Sequence, residues 1–154
     1  MVSESEGLMD TAYETDFVAW TEHQADLLRA HRSELEPLGL DIENLVDEVE
    51  ALASRDRREL RSRLEELLLH LLKWRYQSER QSSSWNDSIL QQRYQLADLL
   101  ATSPSLRRTL DGAVKDVYPR SRRRAAVQTH KPLDTFPTDC PWTVAEVLDE
   151  DFLP

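Results

Sequence analysis

The chain is predicted to be all-α, an irregular bundle of five to six helices around one long central helix, with an extended proline-rich C-terminal segment. Three observations predict it. Leu60, Leu64, Leu67, Leu68, Leu71 and Leu72, with Trp74 at the end, form a broad apolar stripe along residues 60–77, stepping by threes and fours as one helix face does. Glycine occurs only three times in 154 residues, while the helix formers Leu, Glu, Arg and Ala dominate. No proline or glycine lies between Asp41 and Gln77, so nothing local stops a helix begun at Asp41.

The elements follow in order. Residues 1–12 are polar and predicted to be disordered. Thr15 or Asp16 then caps a first helix whose apolar face is Phe17, Trp20, Leu27 and Leu28, and Arg29 to His31 place positive charge at its negative end. Residues 31–40 contain Pro37 and Gly39 and read as a connection. Asp41 caps the next helix, with Ile42, Leu45, Val46, Val49, Leu52 and Ala53 at helical spacing. The favoured reading is one helix of roughly 35 residues, about 50 Å long, with a bend near Ser54 as the alternative. SERQSSS at 78–84 is a polar turn ending in serine caps, and Trp85, Ile89, Leu96 and Leu100 mark a helix to about Ala101. TSPS at 102–105 reads as a restart, Ser103 capping and Pro104 at the first helical position. Leu106, Leu110, Val114, Val117 and Tyr118 mark the buried face of the helix that follows; Pro119 should kink it, with more helix to about Thr129. KPLDTFPTDCPW is extended, and Thr143 caps a short last helix.

A chain of this length is expected to be a single domain over residues 1–154, residues 132–154 forming a tail packed over the bundle. That tail holds too many large apolar residues, among them Phe136, Trp142, Val147 and Phe152, to hang free. No run of about 18 apolar residues is present to span a bilayer. The acidic N-terminus, without an apolar h-region, does not read as a secretory signal, and the lone Cys140 fits a reducing cytoplasm. Scarce glycine excludes phosphate-cradling loops. The net charge is −10 and unevenly spread: residues 1–50 carry fourteen acids against Arg29 and Arg32, and residues 132–154 six acids and no base. Residues 104–131 are instead basic. An acidic chain repels a phosphate backbone, which disfavours nucleic acid.

Several fragments, in order along nearly the whole chain, resemble the bacterial family called domain of unknown function 29. They are YETDFVAWTEHQADLLR, the ENL at 43–45, HLLKWRYQSER at 70–80, the SW at 84–85, SPSLRR at 103–108 and PLDTFPTDCPWTVAEVLDEDFLP. The chain departs from the family at Ala53, where glycine is frequent, and at 129–131, where a TGL is usual. The resemblance implies an all-helical single domain and carries over no activity, ligand or cofactor.

His70, Lys73, Trp74 and Gln77 share one helix face. With Asp16, Trp20 and Trp85 they make a candidate polar site, in which His70 would accept a proton and Trp74 form a wall. The competing and favoured reading is that His70 and Lys73 pair with acids such as Asp16, Asp47 or Glu50 and lock the bundle. A di-metal carboxylate site would need Glu-x-x-His on two helices, whereas Glu66 and His70 are four apart and no second such motif exists, so no metal is expected. Glu43, Asp47 and Glu50 line an acidic helix face, and Arg120, Arg122, Arg123 and Arg124 are their natural charge-pairing partners, in one chain or across a dimer. Cys140, in TDCPW, lacks a neighbouring base and reads as a structural thiol near Trp142. The sequence favours a non-enzymatic cytoplasmic interaction or scaffold domain, with a protein partner or a second copy of itself. The alternative is a small-ligand binder or enzyme using the His70/Lys73/Trp74 face.

Overall fold

A computed structural model describes residues 12–154. The expected disordered segment 1–12 lies outside the described residues except for Ala12, which begins a helical turn at 12–15. Among the described residues the structure is helical with no strand, as the composition requires. The helices are α1 (Phe17–Ala30), α2 (Arg32–Leu35), α3 (Ile42–Tyr76), α4 (Ser83–Thr102), α5 (Leu110–Thr129) and α6 (Val144–Leu148). Short 3-10 turns occupy Glu36–Leu38, Ser78–Arg80, Pro104–Thr109 and Leu133–Thr135.

The long helix is continuous. α3 runs for 35 residues through Ser54 without interruption, because neither proline nor glycine occurs in it. Asp41 starts it, its carboxylate accepting from the Asn44 backbone N–H at 3.3 Å and the Asn44 amide at 2.6 Å. The connection at 31–40 is more ordered than proline and glycine suggest: α2 and a 3-10 turn fill it, and Gly39 at φ +87° ends the turn in the left-handed region where a side chain is strained. α5 continues through Pro119 to Thr129, as expected, and His130 at φ +56° terminates it.

The described residues divide into two compact units, residues 12–58 with Leu99–Arg107 and Glu59–Asp98 with Arg108–Pro154. In the first, Ala25 of α1 packs with Ile42 and Val46 of α3, and Leu28, Leu35 and Val49 close around them. Asp16 organises this unit. Its carboxylate caps α1 through Ala19 N–H (2.9 Å) and also accepts from the backbone N–H (2.6 Å) and hydroxyl (2.8 Å) of Ser105. Ser103, at the start of the Pro104–Thr109 turn, presents its hydroxyl to accept from Val18 N–H at 3.2 Å and is wholly buried. Val18 N–H is one of the orphan donors at the start of α1, and Ser103 satisfies it from a distant segment of the same unit.

The second unit holds the leucines. Leu60, Leu64, Leu67, Leu68, Leu71 and Leu72 are each no more than 1 % exposed, and so is Leu69, which the single stripe omits. α4 contributes Ile89 and Leu96, α5 contributes Leu110, Val114, Val117 and Tyr118, and the C-terminal segment contributes Phe136 and Val147. Residues 131–154 thus form a strap, docked on this unit and containing α6, whose Thr143 cap and Glu146 make a reciprocal capping box. Truncating one of these leucines tests the packing directly. Leu67→Ala should lower unfolding free energy by about 3 kcal/mol in urea titrations. Asp16→Ala should lower it by about 2 kcal/mol, because a cap and two further bonds go together.

Candidate functional site

The polar face of α3 lies beside the buried leucines, in the second unit. His70 Nδ1 is 2.8 Å from the Glu66 carbonyl one turn back. A carbonyl only accepts, so Nδ1 carries the proton and the ring is anchored to its own helix. Lys73 reaches α5, where its ammonium donates to Gln128 Oε1 at 3.2 Å, and it lies 4.6 Å over the Trp85 ring. Burial pushes the Lys73 pKa below its ordinary value; Glu66 opposes that shift and Arg124 adds to it. Trp74 is half-buried, its carbonyl accepting from the Gln81 amide at 2.9 Å, and Gln77 is buried at the helix end.

Asp16 and Trp20 belong to the first unit. Asp16 is committed to Ala19 and Ser105, as above, and Trp20 joins an aromatic cluster, 4.8 Å from the Tyr13 ring edge-on and 6.1 Å from Phe17. His70, Lys73, Trp74, Gln77 and Trp85 share the second unit with Glu65, which sequence patterning did not single out, and Glu66, which it weighed only for its spacing to His70. Arg124 binds both, at 3.1 Å and 2.5 Å, and these bonds, that with Glu66 foremost, raise its pKa further. Arg120 lies 3.8 Å from Glu65, and the Ser121 hydroxyl donates to the Glu65 carbonyl at 2.8 Å. Arg122 turns the other way and donates to the Phe136 carbonyl of the strap at 3.0 Å. Arg123 is exposed. In the first unit Glu50 pairs with Arg29, while Glu43 and Asp47 are exposed, with no ion pair among the described residues.

A cleft of about 510 Å³ opens between α5 and the strap, within the size range of ligand sites. Lys115, Tyr118 and Pro119 line one side, Asp139, Cys140 and Trp142 the other. Burial raises the Tyr118 pKa, and the phenol donates to the Pro137 carbonyl at 2.7 Å, which favours the same protonated form. Burial also raises that of Cys140, whose thiol donates to the Trp142 carbonyl at 3.5 Å. A thiol held protonated is a poor nucleophile, as a packing role near Trp142 requires. Among the described residues no cluster of three or more His, Cys, Asp or Glu side chains is placed to hold a metal ion. Nor is any helix among them long and apolar enough to cross a membrane.

The sequence fragments that meet in this geometry, YETDF with SPSLRR at Asp16–Ser105 and HLLKWRYQ with the closing run at Tyr76–Phe136, belong together. The family model for Domain of unknown function DUF29 matches residues 12–153. The chain belongs to this family. No curated protein and no solved structure matches the DUF29 chain.

The most buried charged side chain among the described residues of this DUF29 chain is Arg93 on α4, 2 % exposed. Its Nε donates to the Val147 carbonyl at 2.9 Å and its Nη2 to the Glu146 carbonyl at 3.4 Å. These are carbonyls at the negative end of α6, where a cation is favoured. An arginine inside an otherwise helical pattern looks like surface, which is why patterning alone does not flag it.

The two protonated groups make a pH prediction. Unfolded, Cys140 and Tyr118 would titrate near their ordinary 9.0 and 10.0; folded, both hold their protons to higher pH. Above pH 9 the unfolded chain therefore binds fewer protons than the native one, so stability falls as pH rises, by at most about 1.4 kcal/mol per pH unit for each proton withheld. Chemical denaturation at pH 8 and pH 10 should show that fall, and Cys140→Ser should make it shallower.

Proposed function

We propose that this chain is a non-enzymatic cytoplasmic interaction domain that works as a scaffold by associating with itself as a dimer. The observation that carries this reading is the fate of the groups around His70. Lys73, Arg124, Glu65, Glu66 and Gln128 are spent on one another, and His70 on its own helix backbone, an arrangement suited to locking helices. Catalysis would instead need such groups to converge on an open cavity with at least one of them uncommitted. The protonated Cys140 in the cleft weighs the same way against covalent chemistry, and a lone thiol suits a reducing compartment.

Surface composition supports a protein partner. The described part of the first unit carries twelve acids against six bases and leaves Leu38, Leu40, Leu45 and Leu52 exposed, Leu38 to 76 %. Apolar side chains amid acids suit a protein surface better than a phosphate backbone. Light scattering at rising concentration should move the solution mass from 17.9 kDa toward twice that value. A mass that stays at one chain across the range would overturn the proposal. Lys73→Met, which keeps the packing and removes the charge, should leave the association unchanged.

A further inference from the structure

The strap is held in an unusual manner. Three side chains from the helices donate to four of its backbone carbonyls: Tyr118 to Pro137 at 2.7 Å, Arg122 to Phe136 at 3.0 Å, and Arg93 to Val147 at 2.9 Å and Glu146 at 3.4 Å. Between these bonds sit two apolar anchors. Phe136 is 1 % exposed, with its ring 5.3 Å from Tyr76, and Val147 is fully buried. This is peptide recognition, with main-chain bonds for hold and side-chain pockets for register. Nothing in such a groove depends on which chain supplies the peptide.

The groove also resists being empty. Arg93 is buried, and its hydrogen-bond partners among the described residues are the two strap carbonyls; its Nη1 already has none. With the strap gone, Arg93 would exchange both carbonyls for water, and an opened copy regains those bonds and the burial of Phe136 and Val147 by taking up another strap. The joint between α5 and the strap is strained as well. His130 is the only non-glycine residue with positive φ among the described residues, and Pro132 follows two positions later. A short strained hinge before a self-complementary docked segment is the arrangement that favours exchange of that segment between copies.

We propose that two copies of this chain exchange residues 131–154, each strap lying in the groove lined by Arg93, Tyr118 and Arg122 of the other copy. This rests on the self-association reading and names its interface. It also gives the exposed hinge a purpose, since release at His130 leaves every docking contact available to be remade in trans.

Cross-linking between two kinds of chain, each with one thiol, tests it. The unaltered chain carries Cys140 on its strap; the second carries Cys140→Ser with Lys115→Cys, on the α5 side of the same cleft. After mixing and equilibration, a short bismaleimide should join the two into a covalent species of twice 17.9 kDa on a denaturing gel. Lys115→Cys in the unaltered background checks that the reagent reaches, because it must then bridge within or between chains. His130→Gly removes the strain without touching the groove, and it should cut the cross-linked fraction severalfold with folding intact by circular dichroism. A dimer by light scattering with no mixed cross-link would overturn the exchange and leave self-association standing. A cross-link that His130→Gly leaves unchanged would overturn the role of the hinge, and a single-chain mass at all concentrations would overturn both proposals.

Discussion

Five of the six residues from Leu67 to Leu72 are leucines, and all five are no more than 1 % exposed. At 100° per residue they cover roughly 200° of the helix circumference, twice the width that one packed neighbour ordinarily hides. At on the order of 2 kcal/mol for each buried leucine, leaving half of that arc wet is not a stable option. The second unit is therefore obliged to bring more than one element against α3. α4, α5 and the strap all place buried apolar side chains in that unit. His70 is the one polar residue inside the run; it falls on the far side of the helix from that arc, and its Nδ1 is tied to its own helix at the Glu66 carbonyl.

The basic run on α5 shows why a charge cluster in a sequence is not a charged surface in the fold. Arg120 and Arg124 are four apart and share a face, and both turn to Glu65. Arg122 lies about 160° around the helix from Arg124 and binds the strap backbone instead. Arg123 is left to solvent. A phosphate backbone requires several cations on one side, and this helix sends its own in three directions. Lys73 makes the same point from α3: its lowered pKa reflects a half-buried amine resting on Trp85 and held by Gln128.

What was legible in the sequence was whatever depends on neighbours three or four positions away. The continuity of α3, the Asp16 and Thr143 caps and the passage of α5 through Pro119 to Thr129 are all local matters. Leu69 escaped because a periodicity argument looks for one stripe, and a helix covered over 200° has no single stripe to find. The acceptors of Arg124 escaped because Glu65 and Glu66 lie more than fifty positions away, among other acids of equal promise. Arg93 escaped for a deeper reason. A buried arginine is tolerable only where carbonyls wait for it, and those belong to a strap over fifty residues further along. The polar half of the candidate site is tertiary in origin, and only its α3 face could be read in advance.

Pro119 links the cleft to the strap. A proline in a helix cannot donate to the carbonyl four residues back, here that of Lys115, and its ring crowds that carbonyl. Lys115 and Pro119 both line the cleft, so the opening lies along the stretch of α5 where the proline leaves a backbone bond unmade. The next residues around the helix, Tyr118 and Arg122, carry the bonds to the strap, and Ser121 ties α5 to the Glu65 carbonyl of α3. α5 is consequently held by side-chain bonds on either side of its weakest turn, one set to α3 and one to the strap. The first set is internal to the helices and stays whatever the strap does. The second can be satisfied by any strap of the same sequence, which makes α5 the place where a fold complete in one chain can become an interface between two.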